Sequence, residues 1–231
     1  LVGFFAINEK PTGSKDPFAL RRAALGIIRI IIENKLRIPL KQLISKSLDA
    51  YPHLTDSNEL LDFINDRLKV YLRSSGIKPE LIAANFDAGE EDDLHRLILR
   101  VKALEELLAT EDGVNLLIAN RRAANIVSIE AKKDKSDFIG IPDPNVFELE
   151  EERALFSVLT ETEKQVGELM TKEDFEGAMK ALASLRLPLD NYFNNVIVNS
   201  ENNSIRQNRL KTLSLVGKTM NQVADFSLIE N

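Results

Sequence analysis

The sequence predicts an all-α protein, a multi-helix bundle of two packed helical units. Apolar residues recur at helical spacing through nearly all of the chain, and no stretch alternates with period two for long enough to make a strand. Asp112-Gly113, a hairpin signal when it joins two strand-like runs, lies here between helical patterns. With 231 residues, 44% of them hydrophobic, the chain can bury one large core or two small ones.

Pro11 to Asp16 reads as a turn, with Asp16 as cap and Pro17 as first residue of a helix that runs through Phe18 to Asn34. Ala19, Leu20, Ala23 and Ala24 favour that helix. Pro39 opens a second one through Leu40, Leu43, Ile44 and Leu48. Asp56 or Ser57 opens a third, in which Leu60, Leu61, Ile64, Leu68 and Leu72 recur until Gly76 stops it, and Pro79 opens a fourth. Leu94, Leu97, Ile98, Val101, Leu104 and Leu108 mark a fifth; Leu116, Leu117, Ala123, Ala124, Ile126 and Val127 mark a sixth. Charge together with Gly140, Pro142 and Pro144 breaks the periodicity between Lys132 and Pro144, which reads as a linker. Beyond it come a long helix from Glu148 to Met170, a helix opened by a Thr171/Asp174 capping box, and a short one from Pro188. The last runs from about Ser204 past Met220, with Leu210, Leu213, Val216 or Gly217, Met220 and Val223 on its apolar face. The expected domains are 1–16, the end of a preceding domain and its turn; 17–131, a helical body; 132–147, a linker; and 148–231, a helical bundle.

The absence of cysteine excludes disulfides, thiolate metal sites and cysteine nucleophiles, and fits a reducing cytosol. The apolar run Ile27 to Ile32 is broken by Arg29 and falls far short of the ~20 residues of a membrane helix. Leu1-Val-Gly-Phe-Phe carries neither an initiator Met nor a basic leader, so the chain reads as a piece of a longer protein. A net charge of −6 argues against indiscriminate nucleic-acid binding, yet the charge is uneven. Two basic runs contain no acid: residues 113–129 with Arg121 and Arg122, and residues 204–218 with Arg206, Arg209, Lys211 and Lys218.

Arg121 and Asn125 lie one helical turn apart on one face, with Arg122 about 100° around from Arg121. A guanidinium beside an amide suits the phosphates and exposed base edges of a single-stranded RNA loop. The other reading makes Arg122 a bridge between helices and Asn125 a partner for buried backbone. Asn191, Asn194 and Asn195 read as helix-end caps and Asn199 as a base contact. Arg186, placed at a helix end before Leu187-Pro188, either bonds the last carbonyls or faces RNA. Arg206 and Arg209 are expected at the edge or outside of the last helix, because Leu210 and Leu213 commit the adjoining face to the core. They contact phosphate or bridge to the acidic central segment. His53 and His95 read as solvated, Glu90 to Asp93 as helix-start acids, and Gly13-Ser-Lys15 lacks the spacing of a phosphate loop. No catalytic or metal-binding residue is assigned.

Lys15-Asp-Pro-Phe-Ala-Leu-Arg-Arg-Ala-Ala-Leu-Gly26 resembles a signature of the bacterial glycyl-tRNA synthetase beta subunit. Asn120 to Ile126, Ser184 to Asp190 and on to Asn199, Arg206 to Leu210, and Gln222 to Ser227 are similar to landmarks of the same family in the same order. The sequence departs from it at Asn120-Arg121, where the family often has Tyr-Lys, and at Asn194, where it often has an acid. The resemblance implies that residues 1–16 close an HD-like domain and that 148–231 form a DALR-type anticodon-binding bundle. Residues and resemblance together give an RNA-binding set of Arg121, Arg122, Asn125, Arg186, Asn199, Arg206, Asn208, Arg209 and Lys211. The resemblance further implies a glycine-specific tRNA and a catalytic alpha subunit as partners, an alpha2beta2 parent enzyme and a cytoplasmic location. It implies no cofactor in this chain, ATP and Mg being used by the alpha subunit. The alternative is a helical scaffold that binds only protein.

Overall fold

The computed structural model describes residues 1–50, 58–86 and 91–229. His53, Glu90 and the expected helix start at Asp56 or Ser57 lie outside the described residues. Among the described residues every regular element is helical, and the extended pairing is limited to one antiparallel bridge between Thr12 and Lys15. None of these helices is long and apolar enough to cross a membrane. The chain divides into two compact units, Leu1–Val101 and Lys102–Asn231.

The first unit contains α1 (Val2–Ala6), α2 (Leu20–Glu33), α3 (Leu40–Leu48), α4 (Asn58–Ser74) and α5 (Pro79–Phe86). The division falls inside α6 (Leu94–Leu108). Helix α4 packs against α2, α3 and α5 and buries Leu60, Leu61, Ile64, Leu68 and Leu72. Helix α2 answers with Leu20, Ala24, Ile28 and Ile31, a stripe of helical period. Asp16 caps α2 as its sequence suggests, its carboxylate accepting the N–H groups of Leu20 at 2.8 Å and Arg21 at 3.0 Å. The helix nevertheless starts at Leu20 and not at Pro17 or Phe18, because Ala19 takes a left-handed φ of 53° and holds the preceding residues in a turn. The acidic run at the start of α6 also serves as caps. Asp92 accepts the backbone N–H groups of Leu40 and Lys41, and Asp93 accepts the N–H of Arg96 at 3.0 Å. His95 is half-buried on α6 rather than solvated, its Nδ1 without a hydrogen-bond partner among the described residues.

The second unit contains α7 (Glu111–Asp134), α8 (Glu150–Thr171), α9 (Phe175–Ala183), α10 (Arg186–Asn195) and α11 (Asn203–Met220). Helices α7 and α8 each pack against α9, α10 and α11. Thr110 caps α7 by accepting the N–H of Gly113 at 3.0 Å. Gly113 itself sits so close to the end of α6 that a Cβ would lie 2.0 Å from the Leu107 carbonyl oxygen. Helix α11 buries Leu210, Leu213, Val216 and Met220, as its apolar spacing predicts, and also Asn208, Arg209, Thr212 and Thr219. It is enclosed on nearly every side, so its polar groups find partners inside; Thr212 and Thr219 donate to the carbonyls of Asn208 and Leu215 at 3.0 and 2.9 Å.

Three local expectations differ in the structure. Thr171 ends α8, its hydroxyl donating to the Gly167 carbonyl at 2.9 Å, and Asp174 is itself the cap of α9, accepting the N–H of Gly177 at 2.8 Å. Arg186 opens α10 instead of closing the helix before it, so Pro188 falls in the first turn where its missing N–H costs nothing. The stretch 132–147, read as a linker, lies within the second unit: it begins as the last turn of α7 and continues as a loop held to α11. The Asn208 amide accepts the Asp143 N–H at 2.8 Å and donates to the Asp143 carbonyl at 3.0 Å. Phe138 and Phe147 are buried, and Arg153 donates to the Phe147 carbonyl at 2.5 Å.

Candidate nucleic-acid interface

Four of the expected arginines of the second unit, Arg122, Arg186, Arg206 and Arg209, fall into three clusters. The innermost surrounds Arg209 on α11, whose guanidinium donates from Nε to Glu152 at 2.8 Å, from Nη1 to the Ile197 carbonyl at 2.9 Å and from Nη2 to Glu148 at 3.3 Å. Burial alone would raise the Glu152 carboxyl, but the Arg209 bond and the N–H groups of Leu149 and Glu148 together hold it below its ordinary value. The Glu152 bond in turn raises the Arg209 guanidinium. Desolvation pushes the Tyr192 phenol, 3.5 Å from the Arg209 carbonyl, well up. Arg209 was expected at the edge or outside of its helix; enclosure of α11 puts it inside. Asn208, its neighbour, is spent on the Asp143 backbone.

The second cluster lies at the far end of α7. Arg206 pairs with Glu130 and with Asp134, the latter at 2.6 Å, while Asn199 donates to Glu130 at 3.2 Å. The Arg206 hydrogen bonds hold both carboxyls below their ordinary values and raise the guanidinium. The Arg206 side chain is 12% exposed, so it too turns inward from its expected place. Of the expected set on this side, Lys211 stays half-buried with no ion pair among the described residues.

The third cluster opens outward. Asn115, Ile118, Ala119 and Arg122, at i, i+3, i+4 and i+7, form one face of α7. Arg186, Asp190, Phe193 and Asn194, at i, i+4, i+7 and i+8, form the facing stripe of α10. Between the stripes lies a cleft of about 290 Å³. Arg122 is exposed, and its guanidinium carbon sits 4.3 Å from the centre of the Phe193 ring. No carboxylate among the described residues pairs with it. Arg186 is paired with Asp112 at 3.1 Å and with Asp190 at 3.3 Å. Arg122 does bridge helices, as one sequence reading has it, but Asn125 is exposed and not buried against backbone. Arg121, paired with Asn125 by spacing, instead turns to donate to the Ile229 carbonyl. Of the asparagines read as caps, Asn195 donates to the Asn191 carbonyl at 2.9 Å, while Asn194 lines the cleft with no side-chain hydrogen bond among the described residues.

A family model described as the glycyl-tRNA synthetase beta subunit matches residues 1–87, and one described as the DALR anticodon binding domain matches residues 116–229. The glycine–tRNA ligase beta subunit of Rhodospirillum centenum is 50% identical over 234 residues, covering 100% of this chain and 33% of that protein. Those of Ruegeria sp. and Phenylobacterium zucineum are 45% and 46% identical, covering 100% and 99% of this chain and 33% and 32% of theirs. The chain belongs to the glycyl-tRNA synthetase beta-subunit family. It spans about a third of the length of the curated relatives it matches. The anticodon-binding match on this beta-subunit chain takes in the first two clusters and all of the third but Asn115 and Asp112, beginning within α7 rather than at residue 148.

Thus the structure brings Arg122 and Arg186 to one cleft, joins Asn199 to Arg206, and commits Arg121, Asn208 and Arg209 to internal bonds. Sequence reasoning missed Phe193, Asn115 and Ile118 as cleft residues. The four-residue stripe on α10 was available as a signal, but its partner stripe on α7 is about 70 residues away in sequence and meets it only through packing.

Proposed function

We propose that the second unit holds the anticodon arm of a glycine-specific tRNA at the α7–α10 cleft. Glycine is joined to the tRNA on a separate alpha subunit that uses ATP and Mg, within an alpha2beta2 assembly in the cytoplasm. This chain carries no catalytic residue and no cofactor of its own in this reading. The observation that carries it is Arg122: an exposed guanidinium over an aromatic ring, beside the amides of Asn115 and Asn194 in a cleft, none of the three with a side-chain hydrogen bond among the described residues. That combination suits an unpaired RNA loop, whose bases stack and whose phosphates take forked hydrogen bonds. The test is filter binding by the full-length protein, with glycine-specific and unrelated tRNAs at two salt concentrations. Arg122→Glu should weaken specific binding by about an order of magnitude or more and make the salt dependence shallower by about one unit. Melting temperature should stay near that of the parent protein. Unaltered affinity for the glycine-specific tRNA would sink the reading.

A protein-binding scaffold is favoured by a different feature, in the first unit. Ile27 and Ile30 on α2, 36% and 56% exposed, extend along one edge of its buried stripe, and Leu43 on α3 is 50% exposed. Such a surface suits the alpha subunit, and binding there should respond little to salt.

A further inference from the structure

The ring of Phe193 does more than fill space beside Arg122. An arginine on an exposed helix face samples many rotamers, whereas one held 4.3 Å from a ring centre presents a fixed plane. Phe193 covers one side of that guanidinium, and Arg122 is otherwise exposed beside the cleft. Asn194 follows Phe193 on the same stripe of α10, and Asn115 stands one face-position from Ile118 across the cleft. Neither amide makes a hydrogen bond among the described residues. An amide offers one donor and one acceptor side by side, the pattern by which a base edge is read.

Resting on the reading that the second unit binds tRNA here, we infer that one unpaired base of the anticodon loop stacks on the outer face of the Arg122 guanidinium and that Asn194 reads its edge. Phe193 is then a positioning residue, which keeps the guanidinium flat for the base. Asn194 determines specificity: as an amide it matches an edge that both donates and accepts, and as a carboxylate it would match only a donating one. Asp190 is less available for this task because it faces Arg186 at 3.3 Å.

The inference is tested in the full-length protein with glycine-specific tRNA and its single-base anticodon-loop variants, by filter binding at one fixed salt and again at a higher one. Phe193→Leu and Arg122→Lys both keep the positive charge and remove the stacked plane. Each should weaken binding roughly tenfold with an unchanged salt slope, since stacking carries no counterion release. Asn194→Asp should leave affinity for most loop variants as it was and reverse the order of preference at one loop position. Asn194→Ala should flatten the preference at that same position. If Arg122→Glu weakens binding while Phe193→Leu and Arg122→Lys do not, the cleft binds phosphate and the stacking platform is overturned. If the Asn194 variants weaken every loop variant equally, base reading by Asn194 is overturned. If none of the variants changes tRNA affinity, the cleft serves a protein partner or none, and the tRNA reading itself fails.

Discussion

Arg209 and Glu152 neutralise each other inside the second unit, 2.8 Å apart, with side chains only 5% and 1% exposed. A buried pair of this kind contributes little relative to apolar residues that pack as well, but each partner is indispensable once the other is present, since an unpaired buried charge is far costlier than either alternative.

Arg209→Met should therefore destabilise the second unit by about 3–5 kcal/mol, read from urea unfolding. Glu152→Leu should cost a similar amount, and the double substitution should be less destabilised than either single one. A shortfall of about 1 kcal/mol should remain in the double variant, because Glu152 also accepts the N–H groups of Leu149 and Glu148 at the start of α8. Losses that simply add would show that the pair is not coupled.

Acid should unfold the second unit through the same carboxylates. Glu130, Asp134 and Glu152 all titrate below their ordinary values in the folded chain. A carboxyl with a depressed folded value stabilises the fold above its unfolded value, and that contribution fades as pH falls through the folded one. Full stability is expected above about pH 4.5, the ordinary Glu value, with progressive loss below it. Arg206→Gln should flatten the dependence of melting temperature on pH in this acid range. An identical slope in that variant would assign the acid lability to other groups.

Gly113→Ala tests the close approach between the end of α6 and the start of α7. The new methyl would meet the Leu107 carbonyl oxygen at 2.0 Å, backbone against side chain, so one helix must move. A loss of about 1–3 kcal/mol is expected, even though alanine is the better helix former. A variant as stable as the parent would mean that this junction yields freely.

The loop ahead of α8 should resist proteolysis only while Asn208 holds it. Asn208→Ala leaves both the N–H and the carbonyl of Asp143 without their partner. Trypsin cleavage at Lys132, Lys133 and Lys135 should then accelerate several-fold over the parent, since local opening governs cutting at such sites. Equal cleavage rates would show that Phe138 and Phe147 hold the loop by themselves.

The helices were legible in the sequence wherever apolar spacing is long and punctuated, as in α4 and α11, because one buried stripe leaves a periodic trace. The start of α2 was not, since nothing in Ala19 signals a left-handed turn. Arg206 and Arg209 were misplaced for a more general reason. Helical period assigns polar residues to solvent when a helix has one buried face, and α11 has nearly none exposed. Their carboxylate partners lie 57 to 76 residues earlier in the chain, on α7, on α8 and just ahead of α8, so no local pattern announces them. Arg122 was legible as a candidate from its acid-free surroundings. That it is the exposed one of the Arg121-Arg122 pair depended on the Ile229 carbonyl, which only the folded tail brings within reach.

The enclosed position of α11 also sets the order in which this protein can be made. Helices α7 and α8 leave the ribosome before α11, each carrying an apolar face against which α11 has yet to pack. Domains generally fold as units during synthesis, at roughly 5–20 residues per second, so these two faces must wait some seconds uncovered. The second unit thus finishes folding only when α11 slots in, and a nascent chain stalled before Asn203 would present a surface for chaperones rather than a smaller version of the domain.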